Sequence, residues 1–203
     1  MSTGVTGNSA TGTQITTRSS ANLPVIEEKE AGNEVLALYA EYRTRFGRPD
    51  IPAILKCFAT HPPLLESMMH IAETLLFTDG HLLRRHKEMI ATLISSLNNC
   101  QYCADSHGSF LRAQGGSPEL LCALQSNSLD ACCLTAAERA LLQFAIRIND
   151  DSDSITRATI ETVLQAGWTE PQLAETVHIA SLFATFNRVA NSFGLSSPQQ
   201  RSL

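Results

Sequence analysis

The chain has 203 residues, 43% of them hydrophobic and 6% aromatic, and a formal net charge of -5. That length suits one ordinary domain with its own core. The acidic balance and the scarcity of rings exclude a nucleic-acid surface, and no apolar run reaches the roughly 18–20 residues of a membrane span.

Residues 1–32 read as a flexible polar tail. Between Met1 and Asn22 nearly every residue is Ser, Thr, Gly or Asn; only Arg18 is charged, and only Val5 and Ile15 are bulky aliphatics. Such a stretch cannot bury enough apolar surface to offset its ordering entropy. It also lacks the basic and apolar regions of a signal peptide, so the expected compartment is the reducing cytoplasm. Residues 196–203 read as a short C-terminal tail.

Residues 33–195 read as helices. Val35, Leu38, Tyr39, Tyr42 and Phe46 follow the 3.6-residue period, and Gly47 stops that helix. A short helix is expected after Asp50, carrying Ile51, Ile54, Leu55 and Phe58. Pro62 and Pro63 suit the first turn of a third, which runs through Leu65, Met68, Met69, Ala72, Leu75 and Leu76. Asp79 is the expected cap of a fourth, with Leu82, Leu83, Met89, Ile90, Leu93 and Leu97 as its apolar residues. Asn98-Asn99 breaks the pattern, and a fifth helix is expected from Cys100 to Gly115-Gly116. Ser117-Pro118-Glu119 opens a sixth. Thr135-x-x-Glu138 and Thr169-x-x-Gln172 have the form of capping boxes. Between the helices they open, residues 149–153 read as a polar turn and Ser154 as a cap for a helix ending at Gly167. The last helix is apolar on several faces and closes at Gly194, which marks it as central or interfacial. Strand alternation, hairpin turns and Gly-rich phosphate loops are all missing from the pattern, which sets aside both a Rossmann domain and a thioredoxin fold.

Six cysteines are too dilute for a disulfide scaffold, but Cys100 and Cys103 form a Cys-x-x-Cys. On a helix, Cys100, Cys103 and His107 share one face. Cys100 sits at the N-terminus, where free amides and the macrodipole favour a thiolate. His107 lies one turn beyond Cys103, within reach of its proton. Glu88 is on the preceding helix, on a face that continues through Ala91, Thr92 and Ser95. In an antiparallel hairpin about Asn98-Asn99, Glu88 lies about 15 Å along one helix and His107 about 12 Å along the other, so the two meet side by side. A carboxylate beside an imidazole raises its basicity and fixes its tautomer, which gives a Glu–His–Cys relay of the kind that activates a thiol. Two structural thiols, or a zinc site formed by Cys100, Cys103, His107 and Glu88, are the alternatives.

The order Glu88, eleven residues, Cys100-x-x-Cys103, three residues, His107 resembles the alkylhydroperoxidase AhpD family of the carboxymuconolactone decarboxylase-like superfamily. The motif from Asn98 to His107 and the distant segment from Phe186 to Gly194 also resemble its peroxidase-related branch. The resemblance covers residues 33–195. It implies an all-α AhpD-like bundle of about eight helices, assembled as a homo-oligomer, a trimer or hexamer. It further implies a thiol-dependent peroxidase in which Cys103 attacks a hydroperoxide and Cys100 resolves the sulfenic acid as a disulfide, with Glu88 and His107 moving the proton. No cofactor is implied; the oxidised pair is reopened by an external dithiol donor of lipoyl or thioredoxin type. The best-known member of the family has a histidine directly before the second cysteine, where this chain has Tyr102. A thiol-disulfide oxidoreductase, a redox sensor and a lactone decarboxylase of the carboxymuconolactone type are the competing functions.

Other candidates read as structural. Cys57 and Cys122 are expected in the core, and Cys132-Cys133 as buried thiols. His86 falls on another face from Glu88. His178 is expected packed or interfacial, Asn187 and Asn191 as contacts between helices, and Met68-Met69 as core.

Overall fold

A computed structural model describes Met1 and residues 22–197. Among the described residues there are nine α-helices and no strand. They are α1 (Asn33–Phe46), α2 (Ala53–Phe58), α3 (Pro62–Ala72), α4 (Arg84–Leu97), α5 (Gln101–Ala113), α6 (Pro118–Gln125), α7 (Ala136–Asp150), α8 (Arg157–Gln165) and α9 (Glu170–Phe193). The all-α expectation holds: the sequence pattern reads as nine helices in turn, and nine form among the described residues, against the about eight that the family resemblance implies.

The local signals explain most boundaries. Ser117 Oγ accepts from Leu120 N at 3.1 Å to cap α6. The Thr135–Glu138 and Thr169–Gln172 boxes both form. Gly47 and Gly194 end α1 and α9 in the left-handed conformation, at φ 64° and 70°, where a Cβ is strained.

Three boundaries differ from expectation. Asp79 does not cap α4; the helix begins at Arg84, with Leu83 at its cap position and largely exposed. The segment before it is held by long-range bonds: Lys87 Nζ donates to the carbonyls of Leu75 and Thr78, both at 2.9 Å. The third helix continues into a wider π turn over Glu73–Phe77. Thr156, rather than Ser154, caps α8, because Ser154 closes a 3-10 turn whose hydroxyl donates to Asp151 O at 2.8 Å.

At the centre α4 and α5 form an antiparallel hairpin, and α9 crosses α4 and α7. Leu93, Ile94, Phe183 and Leu142 are fully buried between them. α1, α2 and α3 close one side of this core. The expected tails fall mainly outside the described residues. Residues 22–32, which are described, lie against the bundle: Tyr39 Oη donates to Ile26 O at 2.7 Å, and Asn22 N donates to Phe193 O at 2.9 Å. No helix among the described residues is long and apolar enough to cross a membrane.

Candidate active site

The α4–α5 turn sets the geometry. Asn99 adopts φ 53°, a left-handed conformation that asparagine tolerates better than most residues. Cys100 N then donates to Ser95 O at 2.8 Å, and Cys100 Sγ caps α5 by accepting from Cys103 N at 3.4 Å. An asparagine cluster pins the turn. Asn98 Nδ2 donates to Asn149 Oδ1 and Asn187 Oδ1, Asn187 Nδ2 donates to Ser95 Oγ at 3.0 Å, and Asn191 Nδ2 donates to Asn98 O. Asn187 and Asn191 are thus the interhelical contacts expected of them.

Cys100 and Cys103 are joined as a disulfide, with their Cα atoms 5.3 Å apart. The pair is covered: Cys100 is 0% and Cys103 4% exposed, and they pack against Ala190 and Ile54. Glu88, 1% exposed, reaches His107 across the hairpin, with 2.7 Å between Oε2 and Nδ1. The imidazole N–H donates to this carboxylate, which leaves Nε2 as the basic nitrogen. The ring is held edge-on by Phe183 and Phe110, at centroid distances of 4.6 and 5.3 Å.

One member of this group escaped the sequence reading. Arg84 Nε donates to Glu88 Oε1 at 2.6 Å, and its Nη2 pairs with the same oxygen. The Arg84 guanidinium also lies 4.4 Å from the Phe77 ring centroid. A buried carboxylate between a guanidinium and an imidazole is fully paired, which offsets its loss of hydration. The i−4 spacing from Glu88 was a local signal for this pair.

Cys103 and His107 line one cavity of about 480 Å³, whose walls come from α1, α2, α3, α5 and α9. Leu55, Met69, Leu76, Phe77 and Phe186 make it largely apolar. Tyr102 is a wall of this cavity, and its phenol oxygen accepts from Ile54 N at 3.3 Å, near the start of α2. Asp105 lies on the same wall and is engaged by Gln101 Nε2 at 2.8 Å and by the Ser197 hydroxyl. Cys100 does not line this cavity; it borders a separate polar one with Ser95, Ser96 and Gln125.

The remaining cysteines divide differently from expectation. Cys57 is buried, and burial pushes its thiol up to about 12. Cys122 and Cys132 are exposed and Cys133 half-buried, which corrects their placement in the core. Cys122 lies off the Leu120, Ala123, Leu124 stripe that α6 buries, and Cys132 lies outside the helices. His178 is exposed on α9, beside Val177 and Ser181, rather than packed in the core. Met68 and Met69 are core residues, as expected.

Residues 62–147 match the sequence model of the carboxymuconolactone decarboxylase family. A solved structure, described as the alkylhydroperoxidase AhpD core of an uncharacterized peroxidase-related protein from Ralstonia eutropha JMP134, superposes with a TM-score of 0.78 at 25% identity, covering 89% of this chain and 93% of that one. An alkyl hydroperoxide reductase of Mycobacterium tuberculosis is 33% identical over 91 residues, 44% of this chain and 25% of that protein. Sestrin-1 of Xenopus laevis is 27% identical over 164 residues, 78% of this chain and 31% of that protein. The chain therefore spans about a quarter to a third of the curated relatives it matches. In its all-helical architecture and over residues 62–147, the chain is thus similar to the carboxymuconolactone decarboxylase family and to AhpD-like proteins.

Proposed function

We propose that this protein is a thiol-dependent peroxidase that reduces organic hydroperoxides at Cys103. The observation that carries this reading is the shared cavity: Cys103 and His107 both line it, and Glu88 holds the imidazole so that Nε2 is basic. The alkyl hydroperoxide reductase and the peroxidase-related structure among its relatives support the same chemistry.

In the reduced enzyme, His107 takes the Cys103 proton. The thiolate attacks the distal peroxide oxygen, the O–O bond breaks, and the alkoxide leaves as an alcohol with the proton returned by His107. Cys103 is now a sulfenic acid. The Cys100 thiol attacks its sulfur, water departs, and the Cys100–Cys103 disulfide forms. An external dithiol of lipoyl or thioredoxin type then reduces the disulfide and is itself oxidised. Cys103 is reached from the cavity, which favours as oxidant a hydroperoxide that fits inside it. The proposed homo-oligomer draws support from Leu64, Ile71 and Val177, which are exposed apolar residues of α3 and α9.

The test is hydroperoxide consumption with dithiol donors by the native chain and by Cys103→Ser, Cys100→Ser and His107→Ala. All three variants are expected to lose turnover, Cys103→Ser completely. Native turnover retained in Cys103→Ser overturns the reading.

A further inference from the structure

The apolar cavity carries one fixed positive charge that the peroxide chemistry does not use. Arg48 lines it from the loop between α1 and α2. Its guanidinium carbon sits 4.3 Å from the Phe110 ring centroid and 5.6 Å from that of Phe77, so two aromatic faces hold it. The loop is itself anchored, because Arg43 Nε donates to Pro49 O at 2.7 Å. Arg43, Arg45, Arg84, Arg85, Arg139 and Arg157 all pair with carboxylates. Arg48 pairs with none among the described residues.

The other polar groups of the cavity do not compensate this charge. Asp50 is exposed, two residues farther along the loop, and makes no ion pair with Arg48. Asp105 is taken by Gln101 and Ser197. The Tyr42 phenol is raised by burial, against the charge and hydrogen bond of Arg48, and so stays neutral. A guanidinium fork beside an apolar chamber matches a planar carboxylate, with which it forms two parallel charge-assisted bonds. Phe110 connects this end of the cavity to the reacting end, since it also meets the His107 ring, at 5.3 Å.

We propose that Arg48 is the carboxylate-binding residue of the cavity, and that the preferred substrate is an amphipathic hydroperoxide: a hydrocarbon body with a carboxylate at one end, as in fatty-acid hydroperoxides. The hydrocarbon fills the space between Leu55, Met69, Leu76 and Phe77. The carboxylate meets Arg48, and the hydroperoxide lies across Phe110 at Cys103 and His107. This assignment of substrate class rests on the peroxidase reading above, but the anion site itself is testable without turnover.

Two measurements on the native chain and on Arg48→Gln test it. The first is calorimetric binding of decanoate and of decanol, neither of which can be reduced. Decanoate is expected to bind the native chain more tightly than decanol, with the preference falling about tenfold in Arg48→Gln and partly restored in Arg48→Lys. The second is kcat/KM for linoleic acid hydroperoxide relative to its methyl ester, whose ratio is expected to fall by a similar factor. Equal binding of decanoate and decanol by the native chain, or a preference unchanged in Arg48→Gln, overturns the proposal. If no hydroperoxide is consumed while the decanoate preference behaves as expected, the peroxidase reading fails and the anion site stands.

Discussion

Glu88 faces two ways: Oε2 meets His107 Nδ1 at 2.7 Å, and Oε1 is held by Arg84. One buried carboxylate therefore connects the start of α4 to the middle of α5, and the imidazole is oriented by a group that is itself oriented.

In the proposed mechanism the relay extends to Arg84, which acts through Glu88 rather than on substrate. Glu88→Gln keeps the shape but removes the charge, and is expected to lower kcat/KM about 100-fold. Arg84→Gln leaves the His107 contact in place, so a smaller loss of about tenfold is expected, with about 1–3 kcal/mol of stability lost with the charged hydrogen bonds. Steady-state kinetics and urea unfolding of both variants check this. Equal, near-native rates in the two would remove the relay from the mechanism.

Lys87 is 0% exposed and its Nζ lies 2.6 Å from Glu175 Oε1. Burial raises the Glu175 carboxyl, but Lys87 and the Leu82 amide outweigh it and hold the group below its ordinary range. Lys87→Met strands that carboxylate and frees the Leu75 and Thr78 carbonyls. A loss of about 3–5 kcal/mol is expected in urea unfolding. The double variant Lys87→Met with Glu175→Leu should recover much of it.

The four cysteines outside the pair give a labelling order. In the native oxidised protein a thiol reagent should modify Cys122 and Cys132 fast and Cys133 more slowly. It should leave Cys57 untouched until the chain unfolds, because burial pushes that thiol up to about 12. Peptide mapping after timed labelling checks the order. Rapid labelling of Cys57 would contradict its burial.

His86 supplies a pH-dependent contribution. Burial lowers its pKa below the ordinary 6.5, Arg85 adds to this, and the Glu138 charge opposes it. Between the folded value and 6.5, the unfolded chain binds a proton that the folded chain does not. The contribution is therefore complete above pH 6.5 and is lost as pH falls through the folded value. Glu138 and Glu175, both held below their ordinary 4.5, act only in a more acidic window. Trp168, the chain's single tryptophan, stacks edge-on to His86 with centroids 5.0 Å apart and reports unfolding directly. Urea titrations followed by its fluorescence should lose stability from pH 7 to pH 5 in the native chain, and lose less in His86→Gln.

Local chemistry made much of this molecule legible in advance. The Thr135–Glu138 box needs only four consecutive residues, so it can be read without knowing the fold. The Glu88–His107 contact was readable because a tight turn at Asn98-Asn99 fixes the register of two adjacent helices. Asp79 misled because the segment before α4 is governed by Lys87 and Glu175, which belong to α4 and α9 and meet only after folding. The apolar cavity was invisible for the same reason: its walls come from five helices. Cys122 was placed inside because cysteine behaves as a small hydrophobe on average, although its offset from the Leu120 stripe already pointed outward.

The division of labour between the two cysteines is the centre of the account, and one trapping experiment addresses it. Reduced Cys100→Ser is treated with one equivalent of an organic hydroperoxide in the presence of dimedone, and the intact protein and its peptides are weighed. Because Cys103 lines the cavity and Cys100 does not, a sulfenic-acid adduct on Cys103 is expected in this variant, while the native chain closes its disulfide instead. An adduct on Cys100 in Cys103→Ser formed equally fast, or no adduct on Cys103 at all, would contradict the account.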